Sequence, residues 1–202
     1  MLTKLKKQIQ EKLASVAKIA HRLGLTPNKV SCIGFSLSIL AAISYAIAST
    51  NQPLFLIAGV IFLMSSGFCD TLDGILARKY QQATPFGGFL DSMLDRYADA
   101  LVLAGVIISG LCNPVAGIVA LVGSMMVSYS RARAEATGIK MESIGIAERP
   151  ERMLILAAFS IVAAFWMTQF IMNISMIVIA VLANFTVLQR AHHVYKTMKK
   201  GK

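Results

Sequence analysis

Apolar stretches of close to 20 residues recur along the chain, several of them without a single charge, and short polar breaks separate them. They cover about 31–50, 54–77, 86–110, 115–137, 150–168 and 171–195. A helix of that length crosses a hydrocarbon core about 30 Å thick at about 1.5 Å per residue. The breaks carry turn residues: Asn51-Gln52-Pro53, a loop over 79–85 with Pro85, Cys112-Asn113-Pro114, and a polar segment over 138–149 with Gly138 and Gly145. The pattern predicts an all-α integral membrane protein with six transmembrane helices. It excludes a soluble globular enzyme, a disordered chain and a disulfide scaffold.

Ahead of the first span, residues 3–22 place Leu5, Ile9, Leu13 and Val16 at steps of four, four and three, with most lysines elsewhere. This is the pattern of an amphipathic helix lying in the membrane interface; a solvated cap on the bundle fits it equally well. Gly24 to Lys29 breaks that helix, because Pro27 disfavours helical geometry at Thr26. The expected organisation is a juxtamembrane helix and linker over 1–30, a six-helix domain over 31–195, and a basic tail over 196–202. Residues 1–30 do not read as a signal peptide, since no short apolar run ends in a small-residue cleavage site. No convincing repeat or low-complexity segment is found.

Composition agrees: 56% of residues are hydrophobic and 15% charged, and mean hydropathy is +0.65. Lysine and arginine number 20 against 10 acidic residues, a net charge of +10. The basic residues cluster at Lys4–Lys29, at Arg78, Lys79 and Arg96, at Arg131–Arg152 and at Arg190–Lys202, whereas the turns near 50–53, 111–114 and 167–173 carry no charge. By the positive-inside rule the charged side is cytoplasmic, with both termini there, in a multi-pass protein of the cell membrane. Aromatic residues beside the basic groups are too few to stack bases, which argues against nucleic acid as a partner. Cys32, Cys69 and Cys112 lack CxxC spacing and read as small core residues. His192 and His193 lack acidic neighbours and receive no role, and Tyr97, Trp166 and Tyr195 read as belt or packing residues.

The second and third spans contain carboxylates, which are costly in a membrane helix and usually functional. Asp70 and Asp73 are three apart and share a helix face, which Gly74 and Ala77 continue with little side chain. Gly87, Asp91 and Asp95 recur every four residues on the next helix. Two antiparallel helices would turn these stripes toward each other and set four carboxylates around a small cavity, with glycines leaving room for a ligand. Such charges must protonate, pair with arginine or bind metal. Mg²⁺ or Mn²⁺ fits an all-oxygen set, and four carboxylates carry charge enough for two ions. Ions held this way commonly clamp a pyrophosphate for displacement at phosphorus. Asp99, one turn further, reads as a deeper hydrogen-bonding or arginine partner. The plain structural alternative is an ion-pair network with Arg78 and Arg96.

Together these residues spell D-x-x-D-G-x-x-A-R-x8-G-x3-D-x3-D, met by Asp70, Asp73, Gly74, Ala77, Arg78, Gly87, Asp91 and Asp95 without a departure. The pattern resembles the signature of the CDP-alcohol phosphatidyltransferases, membrane enzymes of phospholipid synthesis. The resemblance implies that Asp70, Asp73 and Asp91 hold divalent metals, with Asp95 completing a second site and acting as the general base. It also implies that Thr26, Pro27, Asn28, Lys29, Gly74, Ala77, Arg78, Thr84 and Gly87 bind the CDP-lipid, either CDP-diacylglycerol or CDP-archaeol. A homodimer is implied as well.

The second half narrows the acceptor. Ser128–Glu135, Ile146–Arg152 and Gln189-Arg190 resemble the corresponding segments of phosphatidylinositol-phosphate and archaetidylinositol-phosphate synthases, which use inositol 1-phosphate. Position 131, where the resemblance expects lysine, carries arginine. Arg131, Arg133, Arg152 and Arg190 come from the charged ends of three helices, and their forks suit a phosphate dianion. Glu148 and Glu151 read as groups that orient arginines. A positive-inside role in which the arginines snorkel to headgroups is the plain alternative. Two other readings stay open: the same chemistry with glycerol 3-phosphate, and a membrane cation carrier whose Asp cluster is an ion site.

Overall fold

The structure is a computed structural model that describes residues 15–141 and 144–200. Its regular structure is helical. Helix α1 covers 15–22 of the described residues, followed by α2 (Pro27–Ile47), α3 (Leu54–Lys79), α4 (Pro85–Ile108), α5 (Pro114–Glu135), α6 (Arg149–Phe165) and α7 (Thr168–Lys200). Residues 1–14, with Leu5, Ile9 and Leu13 of the expected amphipathic stripe, lie outside the described residues, as do Gly201 and Lys202 of the tail.

Helices α2 to α7 correspond to the six expected spans with ends shifted by a few residues. One shift is at α2, which begins at Pro27 rather than after Lys29. Proline is disfavoured inside a helix but suits its first position, where the missing N–H has no partner to lose. Thr26 supplies the cap, its Oγ1 accepting from Lys29 N–H at 3.4 Å. The same device opens α4 at Thr84-Pro85, and Asn113-Pro114 opens α5. At the other end of the chain α7 continues as a helix past residue 195 to Lys200.

Four of the six helices, α2, α3, α5 and α7, are long and apolar enough to cross a membrane. Helix α4 carries Asp91, Asp95, Arg96 and Asp99, and α6 is 17 residues long with Arg149, Glu151 and Arg152 in its first turn. Leu54, Ile108, Val115 and Phe165 are each at least 69% exposed. Such exposed apolar side chains suit a lipid solvent rather than water. The chain is a multi-pass membrane protein.

Helix α2 packs against both α3 and α4, α6 against α3 and α7, and α5 against α4 and α7. Helices α3 and α4 do not pack closely on each other. The two acidic stripes face each other across a small cleft, as expected, and α2 is wedged against both helices beside it. Small residues permit the wedge. A Cβ on Gly34 of α2 would lie 2.9 Å from Cys69 Cβ of α3, and one on Gly105 of α4 would strike the Ala42 carbonyl of α2. Tyr45, Leu56, Val102, Leu103, Leu156 and Met172 fill the core toward the uncharged end. A second cluster docks α1, with Ala17 and Ala20 against Val30, Leu72 and Leu76. Val16, expected on the apolar stripe, is exposed at 38%.

Candidate active site

The acidic residues converge as the helical spacing requires, with partners from elements the sequence did not single out. Asp70, Asp91 and Asp95 each offer one carboxylate oxygen within 4.8 Å of the others. Asp73 is buried and lines the same small cleft, its Oδ2 accepting from Ser31 Oγ at 2.6 Å. Ser31 is on α2, so the helix that packs on both α3 and α4 also fixes one carboxylate. The donors are all oxygen, which fits a hard divalent cation such as Mg²⁺ or Mn²⁺.

The expected arginine partners behave differently. Arg96 Nη1 lies 3.8 Å from Asp95 Oδ2 and donates to the Ser92 carbonyl at 2.8 Å. Arg78 is exposed and pairs with no carboxylate among the described residues. It folds back over its own helix, where a Cβ at Gly74 would lie 3.3 Å from its Nη2. The cation that enters the cluster is Arg149. Its Nη1 lies 3.1 Å from Asp95 and 3.3 Å from Asp70, and its Nε donates to Asp99 Oδ1 at 2.9 Å. Arg149 was absent from the residues predicted to form the site. Its position was nonetheless a signal: it opens α6, and a cation at a helix N-terminus opposes the macrodipole unless something outside the helix holds it.

Asp99 is buried and takes Arg149 on one oxygen and Arg152 Nη2 on the other at 3.2 Å, the deeper arginine partner expected of it. Arg152 is fully buried. Its Nη1 donates to the Ala147 carbonyl at 2.9 Å, and its Nε has no partner among the described residues. Arg190 is spent on the chain itself: Nε donates to the Ile144 carbonyl at 2.8 Å, Nη1 to the Val127 carbonyl, and Nη2 to Glu148 at 3.1 Å. Glu148 thus orients an arginine, as expected. Arg131 is half-exposed and pairs with Glu135 one helical turn on, at 2.9 Å.

Arg131, Arg152 and Arg190 line one cavity of about 270 Å³, together with Ser128, Arg96 and Arg149. Arg133 does not line that cavity. It lines a groove between α5 and α7 with Tyr129 and Tyr195, and only Arg190 borders both spaces. Two positions along a helix turn a side chain by about 200°, so Arg131 and Arg133 cannot face one cavity.

The residues expected at the CDP-lipid form a rim beside the cleft. The capped starts of α2 and α4 abut: a Cβ on Gly87 would lie 2.9 Å from both Asn28 Oδ1 and Thr84 Oγ1. Thr84 Oγ1 accepts from Gly87 N–H at 3.0 Å. Lys29 Nζ reaches the Gly24 carbonyl at 3.4 Å. Two helix N-termini side by side favour an anion. Gly74, Ala77 and Arg78 lie on the last turns of α3. From the acidic cleft an apolar groove of about 400 Å³ runs between α3, α4 and α6, walled by Leu63, Phe68, Val102, Met153 and Leu154 and open to Asp70 and Arg149.

Known proteins share this arrangement. The family model of the CDP-alcohol phosphatidyltransferases matches residues 24–189. The archaetidylinositol phosphate synthase of Pyrococcus horikoshii is 39% identical over 201 residues, covering 100% of both chains. The phosphatidylinositol phosphate synthase of Mycolicibacterium smegmatis is 36% identical over 89% of this chain and 82% of its own. The crystal structure of Mycobacterium tuberculosis phosphatidylinositol phosphate synthase with CDP-DAG bound superposes with a TM-score of 0.77 at 31% identity, covering 91% of this chain and 93% of that one. A second structure of the mycobacterial protein, in complex with manganese and citrate, has the same TM-score of 0.77 and covers 88% of that chain.

Proposed function

Because the chain belongs to the CDP-alcohol phosphatidyltransferase family, a family of membrane transferases of phospholipid synthesis, we propose that it moves the phosphatidyl or archaetidyl group of a CDP-linked lipid onto inositol 1-phosphate and releases CMP. The observation that carries this reading is the meeting of two spaces. The acidic cleft and the arginine-lined cavity share Asp70, Asp95 and Arg149, so an acceptor held by its phosphate among arginines lies against a carboxylate able to take its proton.

The lipid chains occupy the apolar groove beside Leu63, Phe68 and Met153. The cytidine diphosphate lies across the starts of α2 and α4, with Thr26 to Lys29, Thr84, Gly87 and Arg78 around it and Gly74 and Ala77 leaving room. Two divalent ions, Mg²⁺ or Mn²⁺, held by Asp70, Asp73, Asp91 and Asp95, would neutralise the pyrophosphate; support comes from the cluster of oxygens and from the manganese in the mycobacterial relative. Asp95 accepts the proton of the acceptor hydroxyl. The hydroxyl oxygen forms its bond to the lipid-linked phosphorus while the bond from that phosphorus to CMP breaks. CMP leaves with the electron pair. Arg131 and Arg152 orient the acceptor phosphate, and Arg190 shapes the cavity by fixing the 144–148 segment.

In the membrane, α4 and α6 cross with the four more apolar helices, their charges turned into the bundle. The basic ends and the site face the cytoplasm. The test is CMP release by purified protein in detergent with Mg²⁺ and a CDP-lipid, with inositol 1-phosphate, free inositol, glycerol 3-phosphate and serine in parallel. Release with inositol 1-phosphate alone is expected. Release with glycerol 3-phosphate would keep the acidic site and overturn the acceptor. Failure with all four would revive the cation-carrier reading, for which metal flux into liposomes is the measurement.

A further inference from the structure

Arg149 and Asp70 line the acidic cleft, the arginine-lined cavity and the apolar groove alike. Asp70 is one of the four carboxylates read for metal. Arg149 has no assigned role, and it stands where three spaces meet.

Its contacts are graded. The Nε bond to Asp99 is the shortest at 2.9 Å and lies deepest, on a carboxylate buried to 3% exposure. The Nη1 contacts to Asp95 and Asp70 are longer, at 3.1 and 3.3 Å, and one nitrogen is shared between two carboxylates. Asp99 is also held independently by Arg152. The guanidinium therefore has an inner anchor and an outer end laid on two of the three carboxylates whose oxygens cluster in the cleft. A divalent ion held by Asp70 and Asp95 would repel a guanidinium lying on the same carboxylates, because the two like charges would stand only a few ångströms apart. Without either cation, Asp70, Asp91 and Asp95 would face one another with only Arg96, 3.8 Å from Asp95, as a counter-charge.

We propose that Arg149 is a positioning residue that serves as the internal counter-cation of the acidic cleft. It holds Asp70 and Asp95 while no divalent ion is present. On ion binding it gives up both carboxylates, pivots on Asp99 and presents its Nη groups to the adjoining arginine-lined cavity. Ion loading is thereby coupled to anion binding in that cavity. This inference rests on reading the acidic cleft as a metal site.

The consequence is counter-intuitive for a site residue: removing Arg149 tightens ion binding. Protein in detergent is stripped with chelator, desalted and titrated with Mn²⁺, free Mn²⁺ being read from its electron paramagnetic resonance signal without lipid or acceptor. Arg149→Gln is expected to bind Mn²⁺ about tenfold more tightly than wild type, within the usual range of coupling between two sites. Arg149→Lys keeps the charge but not the bridging fork and is expected to fall between the two. In the wild type, inositol 1-phosphate tightens Mn²⁺ binding; in Arg149→Gln that coupling is lost. Asp91→Ala abolishes binding in either background, which locates the ion.

A merely structural Arg149 would lower the melting temperature and leave Mn²⁺ affinity unchanged or weaker, and that result overturns the proposal. Should Arg149→Gln not fold, Arg149→Lys carries the same comparison. Wild-type protein that binds no Mn²⁺ fails the metal-site reading and takes this one with it. Wild-type binding without tightening in the variants overturns this inference alone.

Discussion

Ser31 Oγ donates a 2.6 Å hydrogen bond to Asp73 Oδ2, tying the second turn of α2 to the most buried carboxylate of the acidic motif. A carboxylate at 5% exposure needs such a donor, because charge removed from water is stable only when paired or hydrogen-bonded. The same bond fixes Asp73 where it lines the cleft. Ser31→Ala is expected to weaken Mn²⁺ binding by about 10- to 100-fold, the usual cost of losing a partner that orients a ligand. Ser31→Thr, which keeps the hydroxyl, should restore most of it. Equal affinity in Ser31→Ala and wild type would show that the bond does not position Asp73.

Asp95 lies where the acidic cleft opens into the arginine-lined cavity. Asp95→Asn keeps the shape and removes the proton acceptor. Turnover is expected to fall by about 10³-fold or more, combining loss of general-base catalysis, typically 10²–10⁴-fold, with loss of a charged metal donor. Binding of CDP-lipid should persist, measured by the shift it causes in melting temperature. Full activity would remove Asp95 from its role.

Arg131 and Arg133 are neighbours in sequence that face different spaces. Arg131→Ala is expected to raise the apparent KM for inositol 1-phosphate about 10-fold or more, as a charge-assisted contact is lost, with little change for CDP-lipid. Arg133→Ala should leave both constants within about twofold, in keeping with an exposed side chain away from the site. Acceptor and lipid kinetics measured side by side decide between this division and a shared role for both arginines.

Gly105 fixes how closely α4 approaches α2. A methyl group there would meet the backbone carbonyl of Ala42, which cannot move aside as a flexible side chain can. Gly105→Ala is expected to cost about 1–3 kcal/mol through overpacking and to lower the melting temperature in detergent. Activity should fall in parallel, because the same approach sets the distance between Asp91 and Asp95 on α4 and Asp70 on α3.

The acidic motif was legible in the sequence because helical periodicity fixes which residues share a face. Asp70 with Asp73, and Asp91 with Asp95, could point nowhere but together once their helices formed. The apolar spans were legible for a similarly local reason, since the bilayer sets their length. What local pattern leaves undetermined is which helix stands beside which. Periodicity on α3 and α4 turned their acidic stripes toward each other, but that α2 packs on both helices was not legible, since it depends on Gly34 and Gly105 letting it come close to each. That placement alone brings Ser31 to Asp73 across 42 positions of sequence, and it leaves a gap for Arg149 to reach Asp70, Asp95 and Asp99 from α6. The arginines divide along the same line. Their number and their place at helix ends were plain from charge, but the direction each fork takes depends on rotation about α5 and on carbonyls at Val127, Ile144 and Ala147, which only the folded chain brings within reach. The sequence thus determined the helices and the chemistry each one carries, because those follow from neighbours one to four residues apart. The assembly of that chemistry into one site was decided by tertiary packing, where close approach at single glycines selects which helices meet.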